Sequence, residues 1–315
     1  MQICADDTAK HRRMSMDLSN PRVDSQLKEQ ILFQNDQLHY GIYFPESVQQ
    51  FYGDILWHWH KEFEFGVVTK GSLLYKTNQH EYVLNEGDAV FINSGALHYL
   101  HLLVPAAEAG IYSQFFDRSF LAGDIESIFD VNYIAPVINQ KQPDMIPFYR
   151  HRKNDRYFLS QLEEAARIAH MKKPFYEFRL RNIFSELWET IYDRTMQPEM
   201  PEPAESTRDI ERIKIMLTFM REHCHEKLTV PQIAGCIPVS ERECYRLFQN
   251  NLGMTPTEFL VSLRLKKARD LLVSTRKNIV EIALESGFGG SSYFSKVFRQ
   301  EFNLSPGEYR RQNSK

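Results

Sequence analysis

Short apolar and aromatic runs, broken by turn-forming residues, dominate the chain between Gln37 and Tyr112. The runs are Phe65–Thr69, Gly71–Lys76, Glu81–Leu84 and Ala89–Ile92. The segments that break them include Thr77-Asn78-Gln79 and Asn85-Glu86-Gly87-Asp88. Strands this short, recurring at such close intervals, are typical of a β-sandwich or barrel. We therefore predict a small β-barrel in the N-terminal half.

Two amphipathic helix patterns follow the predicted barrel. The apolar stripes are Phe158, Leu162, Ala165 and Ala169, then Leu180, Phe184, Leu187, Trp188 and Ile191. Pro174 separates the two stripes and can open the second helix, because proline is tolerated in a first turn. Each stripe must be buried, either on the barrel or between subunits. We expect one stripe to pack inward and the other to help pair subunits.

The C-terminal third contains an internal repeat. The matching pairs are Ile233-Ala234 with Ile282-Ala283, Leu247-Phe248 with Val297-Phe298, and Thr255-Pro256 with Ser305-Pro306, at offsets of 49 or 50 residues. Capping-box patterns, in which a hydroxyl accepts an orphan amide and a Glu or Gln reaches back, mark the helix starts. These patterns are Thr229/Gln232, Ser240/Glu243, Thr255/Glu258 and Ser305/Glu308. We predict two helix–turn–helix units, with a helix from Glu241 to about Asn250 in the first.

The second helix of each unit has one apolar face and one polar face. Cys244, Leu247 and Phe248 fall at i, i+3 and i+4 and predict an inward stripe. The outward positions are Arg242, Tyr245, Arg246 and Gln249 in the first unit, and Ser292, Ser295, Lys296 and Arg299 in the second. Long donors on a short exposed helix suit the major groove of double-stranded DNA. Solvated surface charge is the alternative for either helix alone, but the repetition favours DNA.

The distribution of charge also separates the C-terminal third from the rest of the chain. The formal net charge is −3, yet residues 208–315 carry 18 Lys+Arg against 12 Asp+Glu, so the residues before them sum to −9. A basic C-terminal region is typical of a protein that binds a polyanion. Ahead of it, TMQPEMPEPAEST contains three prolines and three glutamates, and this composition predicts an extended linker.

The stretches RLKKARDLLVSTRKNIVEIALESGF and GFGGSSYFSKVFRQEFNLSPGEYRR resemble the C-terminal signature of AraC/XylS-family transcriptional regulators. The resemblance covers about Ile210 to Arg311 and implies two helix–turn–helix units joined by a long helix, here Pro256 to about Ser274. It also implies that the second helix of each unit enters one of two successive major grooves. The base or phosphate contacts it implies fall on Arg242, Tyr245, Arg246, Ser292 and Lys296. Pro238 departs from the pattern, because the second unit has Gly287 there and proline cannot adopt positive φ.

A histidine-rich motif in the predicted barrel resembles the two cupin motifs. The matching residues are His58, His60, Glu64 and Gly71, followed by Gly87, Gly95 and His98. Asn93 replaces the usual proline of the second motif, and Leu102 replaces its usual asparagine. In cupins the three histidines and the glutamate converge on one divalent metal, and such a set suits Zn, Ni, Fe or Mn. As alternatives, these residues hydrogen-bond a small ligand or are satisfied polar groups of the core.

The same region supplies candidates for a ligand pocket. Trp57, Trp59 and Tyr75 lie beside the motif, and aromatic faces with a few hydrogen-bonding groups make sites for small polar molecules. A sugar is the ligand that analogy suggests. No acid–base or nucleophile pair stands outside the four candidate ligands, so we expect no catalytic residues and no required cofactor.

Together the patterns predict an α+β multidomain chain: a cupin-like β-barrel with a helical connector, then an all-α double helix–turn–helix domain. The expected segments are a flexible tail (1–26), a ligand-sensing barrel (27–135), a helical connector that dimerises (136–196), a linker (197–207) and a DNA-binding domain (208–315). We expect no membrane association, because no apolar run reaches about eighteen residues. Four cysteines without a CxxC pair, and no secretory signal, indicate a cytoplasmic location.

The expected function is that of a ligand-responsive transcription regulator, a homodimer that binds double-stranded DNA and a small-molecule effector. The alternative is a metal-dependent cupin enzyme, an isomerase or oxygenase, with a helical appendage.

Overall fold

The computed structural model describes residues 23, 27–33, 37–43, 55–78, 80–104, 108–139, 143–196 and 207–313. The chain forms two compact units: residues 1–24 and 28–204 make the N-terminal unit, and residues 25–27 and 205–315 make the C-terminal unit. The expected tail (1–26) and linker (197–207) lie outside the described residues, apart from Val23 and Thr207. Among the described helices, none has the length and apolar character needed to cross a membrane.

Two antiparallel sheets build the N-terminal unit. Their strands are β1 (Tyr40–Tyr43), β2 (Ile55–His58), β3 (Phe63–Lys70), β4 (Ser72–Thr77), β5 (Glu81–Asn85), β6 (Ala89–Ile92), β7 (His98–Leu102), β8 (Gly110–Phe116) and β9 (Met145–Phe148). One sheet has the order β1-β8-β3-β6-β9 and the other β2-β7-β4-β5. In β4 every second side chain is buried, as the two-residue period of a strand requires. The predicted N-terminal β-sheet domain is confirmed.

The inner core lies between the two sheets. Leu73 and Leu100 of the four-stranded sheet share one buried cluster with Val68, Val90 and Ile111 of the five-stranded sheet. Each fully buried aliphatic side chain of this kind contributes about 1.5–3 kcal/mol to the free energy of folding. This packing holds β2, β3 and β7 together, and these strands carry the histidine motif.

Helices cover the other face of the five-stranded sheet. They are α1 (Arg118–Ala122), a π-helical turn (Asp130–Ile134), α2 (Ala135–Asn139), α3 (Arg156–Met171) and α4 (Tyr176–Met196). The ring of Phe158 stacks on Phe148 at 3.7 Å between centroids, and Trp188 meets Phe63 edge-on at 4.7 Å. Both predicted stripes are buried in one cluster with the sheet. The expectation that one of them pairs subunits is therefore wrong, because the sheet offers more apolar surface than one stripe covers.

The C-terminal unit is entirely helical within residues 207–313. Its helices are α5 (Thr207–His223), α6 (Val230–Gly235), α7 (Glu241–Leu252), α8 (Pro256–Ser274), α9 (Ile279–Glu285), α10 (Ser291–Phe302) and α11 (Pro306–Asn313). The long joining helix α8 has the predicted bounds, and α7 runs two residues beyond the predicted end. Helix α5 was not predicted as an element, although it buries a regular stripe: Ile213, Met216, Leu217 and Met220.

The predicted helix caps form, with one informative exception. At α8 the Thr255 N–H donates to Glu258 Oε2 (2.7 Å) while Thr255 Oγ1 accepts from the Glu258 N–H (3.2 Å), which is a complete capping box. At α7 the Ser240 hydroxyl accepts from the Glu243 N–H (3.2 Å), but the Glu243 carboxylate bonds to Arg246. The box predicted at Ser240/Glu243 is thus only half formed, because a cation competes for its carboxylate.

The turns of the two helix–turn–helix units differ, as Pro238 led us to expect. Gly287 has φ +87° in the second turn, whereas no residue described between α6 and α7 has positive φ. A β-carbon at Gly287 would lie 2.3 Å from the carbonyl oxygen of Cys224. Only glycine fits both the backbone angle and this close approach.

Replacing this glycine should destabilise the C-terminal unit. We expect Gly287→Ala to lower its free energy of unfolding by about 1–3 kcal/mol, the usual cost of a strained backbone, with any clash added. The measurement is urea unfolding of the full chain followed by far-ultraviolet circular dichroism. Gly289→Ala is the matched control, since an added β-carbon there meets no atom within 4 Å. Equal stability of the two variants would contradict the argument.

Candidate nucleic-acid interface and buried histidine site

The second helices of the repeat, α7 and α10, present the predicted polar faces. Each places its apolar stripe inward, with Cys244, Leu247 and Phe248 fully buried in α7 and Phe294 and Phe298 fully buried in α10. The exposed candidates are Arg242, Tyr245, Arg246, Gln249, Ser292, Lys296 and Arg299, and Ser295 is half-buried. The arrangement is chemically suited to contact the base edges and phosphates of a duplex.

One of these side chains, that of Arg246, is held in place by hydrogen bonds to two carboxylates. Arg246 donates from Nε and Nη2 to the two carboxylate oxygens of Glu243 (2.9 and 2.8 Å), and from Nη2 to Asp209 Oδ2 (2.6 Å). The hydrogen bond from Arg246 is the main reason that the pKa of Glu243 lies below its usual value. Asp209 belongs to α5 and is nearly buried. Sequence reasoning missed this partner because it lies 37 residues away.

The cupin-like motif converges inside the barrel. His58 ends β2, His60 follows it, Glu64 lies on β3, and His98 begins β7 directly opposite His58 in the register. Glu64 is the centre of the group: its Oε2 lies 3.1 Å from Nε2 of His60 and 3.6 Å from Nε2 of His98. Ser113 donates to its other oxygen at 2.7 Å.

The three imidazoles are oriented alike. Nδ1 of His58, His60 and His98 lies 2.8, 2.9 and 3.0 Å from the carbonyl oxygens of Leu56, Glu62 and Ala96. A carbonyl can only accept, so each Nδ1 carries a proton and each Nε2 faces the interior, where Nε2 of His60 is already paired with Glu64. Backbone carbonyls that fix histidine tautomers in this way are the usual outer partners of metal-binding histidines.

Three of the four predicted ligands form a compact set. His60, Glu64 and His98 place ligand atoms within 4.8 Å of one another, and all three are buried. His58 stands outside this set, although its ring lies 4.0 Å from that of His98. The convergence of all four residues on one ion stays a prediction, and in this structure a different carboxylate lies beside His58.

That carboxylate is Glu29, which sequence reasoning missed. Its Oε2 lies 3.6 Å from Nε2 of His58, and its N–H donates to the Trp59 carbonyl at 2.7 Å. Burial raises the pKa of Glu29 to about 7. No apolar period surrounds this residue in the sequence, and no motif includes it, so no local signal could have placed it here.

The ionisation of the cluster follows from burial and pairing. Burial disfavours a charged ring at His60, but the hydrogen bond and charge of Glu64 outweigh it and raise the pKa of His60. Burial likewise acts to raise the pKa of Glu64, yet the bond from His60 and the nearby His98 and Ser113 hold it below its usual value. Burial, with the charge of His60, lowers the pKa of His98 to about 4. The neutral His98 therefore keeps a free lone pair.

The cavity beside this cluster is small. Its volume is about 30 Å³, enough for an ion with one or two water molecules and far below the several hundred Å³ of a typical organic-ligand pocket. Of the predicted aromatic residues only Tyr75 lines it, while Trp57 stacks on Tyr99 and Trp59 lies under Lys28. The Tyr75 hydroxyl is buried and has no hydrogen-bond partner among the described residues. The binding of a sugar stays a prediction.

Comparison with known proteins gives consistent results for both units. Residues 233–312 match the family described as a helix-turn-helix domain, and residues 52–136 match the AraC-like ligand binding domain. The chain is 26% identical over 297 residues to the HTH-type transcriptional regulator YdeC of Bacillus subtilis (strain 168), covering 94% of this chain and 100% of YdeC. It is 25% identical over 260 residues to the HTH-type transcriptional activator RhaS of Escherichia coli O81 (strain ED1a), covering 80% of this chain and 86% of RhaS.

A solved structure is similar in sequence to part of the chain. It is a transcriptional regulator of Chromobacterium violaceum with an AraC-type DNA-binding domain, 34% identical, which covers 35% of this chain and 98% of its own chain with a TM-score of 0.33.

Proposed function

The chain belongs to the AraC family of transcriptional regulators, with a ligand-binding domain and a helix-turn-helix DNA-binding domain, and from this premise we propose how its residues divide the work. It is not the metal-dependent enzyme considered as an alternative. We place DNA contacts on α7 and α10, effector binding in the barrel and subunit pairing on α4. Because the target is genomic DNA, the proposal includes a cytoplasmic location.

The exposed face of the repeat supports the DNA assignment. Arg242 and Lys296 stand on matched helices, are exposed, and Lys296 forms no ion pair among the described residues. A cation with no protein counterion is available to neutralise a phosphate and release a bound counterion, which makes binding depend on salt. Two helices that repeat after about 50 residues, each with the same buried and exposed pattern, are the observation that supports this assignment.

Removing either cation should weaken binding to DNA. We expect Arg242→Ala and Lys296→Ala each to cost about 1–3 kcal/mol on a duplex selected from a random pool with the wild-type protein. Lys296→Ala should also reduce the slope of log affinity against log salt by about 1. Binding is measured by fluorescence anisotropy at several salt concentrations. Lys173→Ala removes an exposed charge from the N-terminal unit as control; wild-type affinity in both test variants would refute the assigned face.

The barrel cluster supports a divalent cation as the effector or a required ion. His60, Glu64 and His98 supply two imidazole nitrogens and a carboxylate oxygen, and such a set suits Zn²⁺, Ni²⁺, Fe²⁺ or Mn²⁺. The fixed tautomers, the small cavity and the unpartnered Tyr75 hydroxyl all fit an ion that carries a bound water. An ion would change transcription only by binding more tightly to one of two arrangements of the protein than to the other.

Metal analysis tests this assignment. After incubation with Zn²⁺ or Ni²⁺ and extensive dialysis, we expect about one ion per full-length chain by elemental analysis, because buried imidazole and carboxylate ligands hold such ions tightly. Glu64→Gln and His98→Ala should lose the ion, while His151→Ala, an exposed histidine, should keep it. Background metal in the wild type, or equal metal in all variants with native circular dichroism, would exclude the site.

A partly exposed stripe of α4 supports a homodimer. Beside its buried face, α4 carries the exposed Phe178 and Ser185 and the half-buried Tyr192 seven residues apart, and the 3.5-residue repeat of paired helices fits this spacing. Two copies crossing antiparallel at Ser185 would set Phe178 against Tyr192 of the partner subunit. They would also set Arg181 against Glu189 of the partner subunit, which is the reciprocal pairing that a twofold axis demands. The proposal replaces the buried stripes with this exposed one.

The neighbouring surface is apolar, as an interface requires. A groove of about 830 Å³ runs along this face of α4. The exposed apolar side chains near it in sequence are Ile125, Ile128, Phe129, Val131, Tyr133, Phe175 and Phe178. Of these, Phe129, Tyr133 and Phe178 line the groove itself, and exposed apolar surface of this kind marks an interaction site.

Charge reversal tests the pairing. We expect Arg181→Glu and Glu189→Arg each to shift the wild-type dimer toward monomer in analytical ultracentrifugation, because each places like charges opposite one another, and the double variant to restore the dimer. Arg179→Glu, an exposed change off the stripe, is the control. A monomeric wild type, or no rescue in the double variant, would contradict the interface.

A further inference from the structure

The cluster around Arg246 is electrically balanced. Besides its bonds to Asp209 and Glu243, it includes Arg212, whose Nη1 lies 3.4 Å from Asp209 Oδ1 and 3.9 Å from Glu243 Oε1. Two guanidinium groups therefore face two carboxylates. An approaching duplex meets no net positive charge at this point of α7, although the sequence places an arginine there.

The matching position of the second unit is different. Lys296 aligns with Arg246 at the 50-residue offset, and Tyr293 aligns with Glu243. Lys296 is exposed with no ion pair among the described residues, whereas Arg246 is restrained by two carboxylates. Because both helices keep the same buried stripe, packing does not require this restraint. It is a property of the first unit alone.

The two carboxylates limit the hydrogen-bond donors that Arg246 can offer to DNA. A guanidinium has five N–H donors, and the two on Nη2 are both used, one for Asp209 and one for Glu243. A two-point grip on a guanine edge or a phosphate needs donors on two adjacent nitrogens. With Nη2 and Nε engaged, only the Nη1 donors remain for DNA. Full engagement of a duplex therefore requires Arg246 to leave at least one carboxylate.

Asp209 is the carboxylate placed to be released. It lies in the first turn of α5, two residues after Thr207, where the helix begins. Helix ends open more readily than helix centres, because the first turn has fewer internal hydrogen bonds. Glu243, in contrast, sits on the same helix as Arg246, three residues away, and moves with it.

We infer that Asp209 competes with DNA for Arg246, and that opening of the first turn of α5 converts Arg246 from a neutralised side chain into a DNA-gripping one. The inference rests on the proposed DNA-binding function and deepens it. It assigns the first residues after the linker a direct effect on one DNA contact. The C-terminal unit thereby has a DNA contact of adjustable strength on α7 and one of fixed strength on α10.

The test is Asp209→Asn in the full-length protein. The amide keeps the shape of the side chain and removes its charge, so the Nη2 donor that faces Asp209 is held less tightly and can bind phosphate together with Nη1, while Glu243 keeps its two bonds. We expect affinity for a duplex selected from a random pool to rise about fivefold, or about 1 kcal/mol, because Asp209 is buried but the Arg246 side of the pair is exposed and screened by solvent. The slope of log affinity against log salt should steepen by about 1, as one more phosphate contact requires.

Three further variants make the result specific. Asp209→Asn/Arg246→Ala should bind no more tightly than Arg246→Ala, because the gain depends on the freed arginine. Glu243→Gln should also tighten binding, and it covers the case in which Asp209→Asn melts early by circular dichroism. Glu211→Gln removes the same charge from an exposed position of α5 and should change neither affinity nor slope beyond a small general effect.

The outcomes separate this inference from the proposed function. A wild-type chain that binds no selected duplex would overturn both. Wild-type binding with Asp209→Asn weaker than the Glu211→Gln control, or equal to it, would overturn only the inference. Either result would mean that Asp209 holds Arg246 in its productive position or is merely structural. A gain that persists without Arg246 would overturn it as well.

Discussion

A carboxylate removed from water needs a donor or a cation close by, and this constraint shapes both functional regions of the molecule. In the barrel, Glu64 is held by His60 and Ser113. In the helical unit, Asp209 is held by Arg246. Each carboxylate acts on its partner: Glu64 raises the pKa of His60 in the buried cluster, and Asp209 pairs with the exposed Arg246. The sheets and helix stripes around them serve to place these groups.

The parts of the fold that sequence predicts are those whose signals are local. The Thr255/Glu258 cap that begins α8 follows from a few neighbouring residues, as do the opposite faces of α7 with Phe248 inward and Arg242 outward. These features depend on helix period and on orphan amides, which any short window contains. Two aligned copies add weight because one chance pattern would have to occur twice.

The features that sequence analysis missed depend on contacts between distant residues. Glu29 reaches His58 across 29 positions, and Asp209 reaches Arg246 across 37. No periodicity encodes such pairs, since a charged residue outside a motif looks like any solvated one. The prediction that one apolar stripe pairs subunits was wrong for a related reason. An apolar stripe shows that a helix is buried, but the identity of the covering surface depends on Phe63 and Phe91 of a sheet that no window includes.

The repeat shows which features a duplicated unit must share. Phe248 and Phe298 are equally buried, because each small unit has little apolar surface and cannot lose a core ring. The turn and the surface charge differ: Pro238 stands opposite Gly287, and the restrained Arg246 opposite the free Lys296. Asp209 is buried, so its charge needs the partner that Arg246 supplies, whereas Arg246 itself is exposed and lies off the core stripe. The first unit thus carries carboxylates beside Arg246 that have no equivalent beside Lys296 among the described residues, although the core rings of the two units are buried alike.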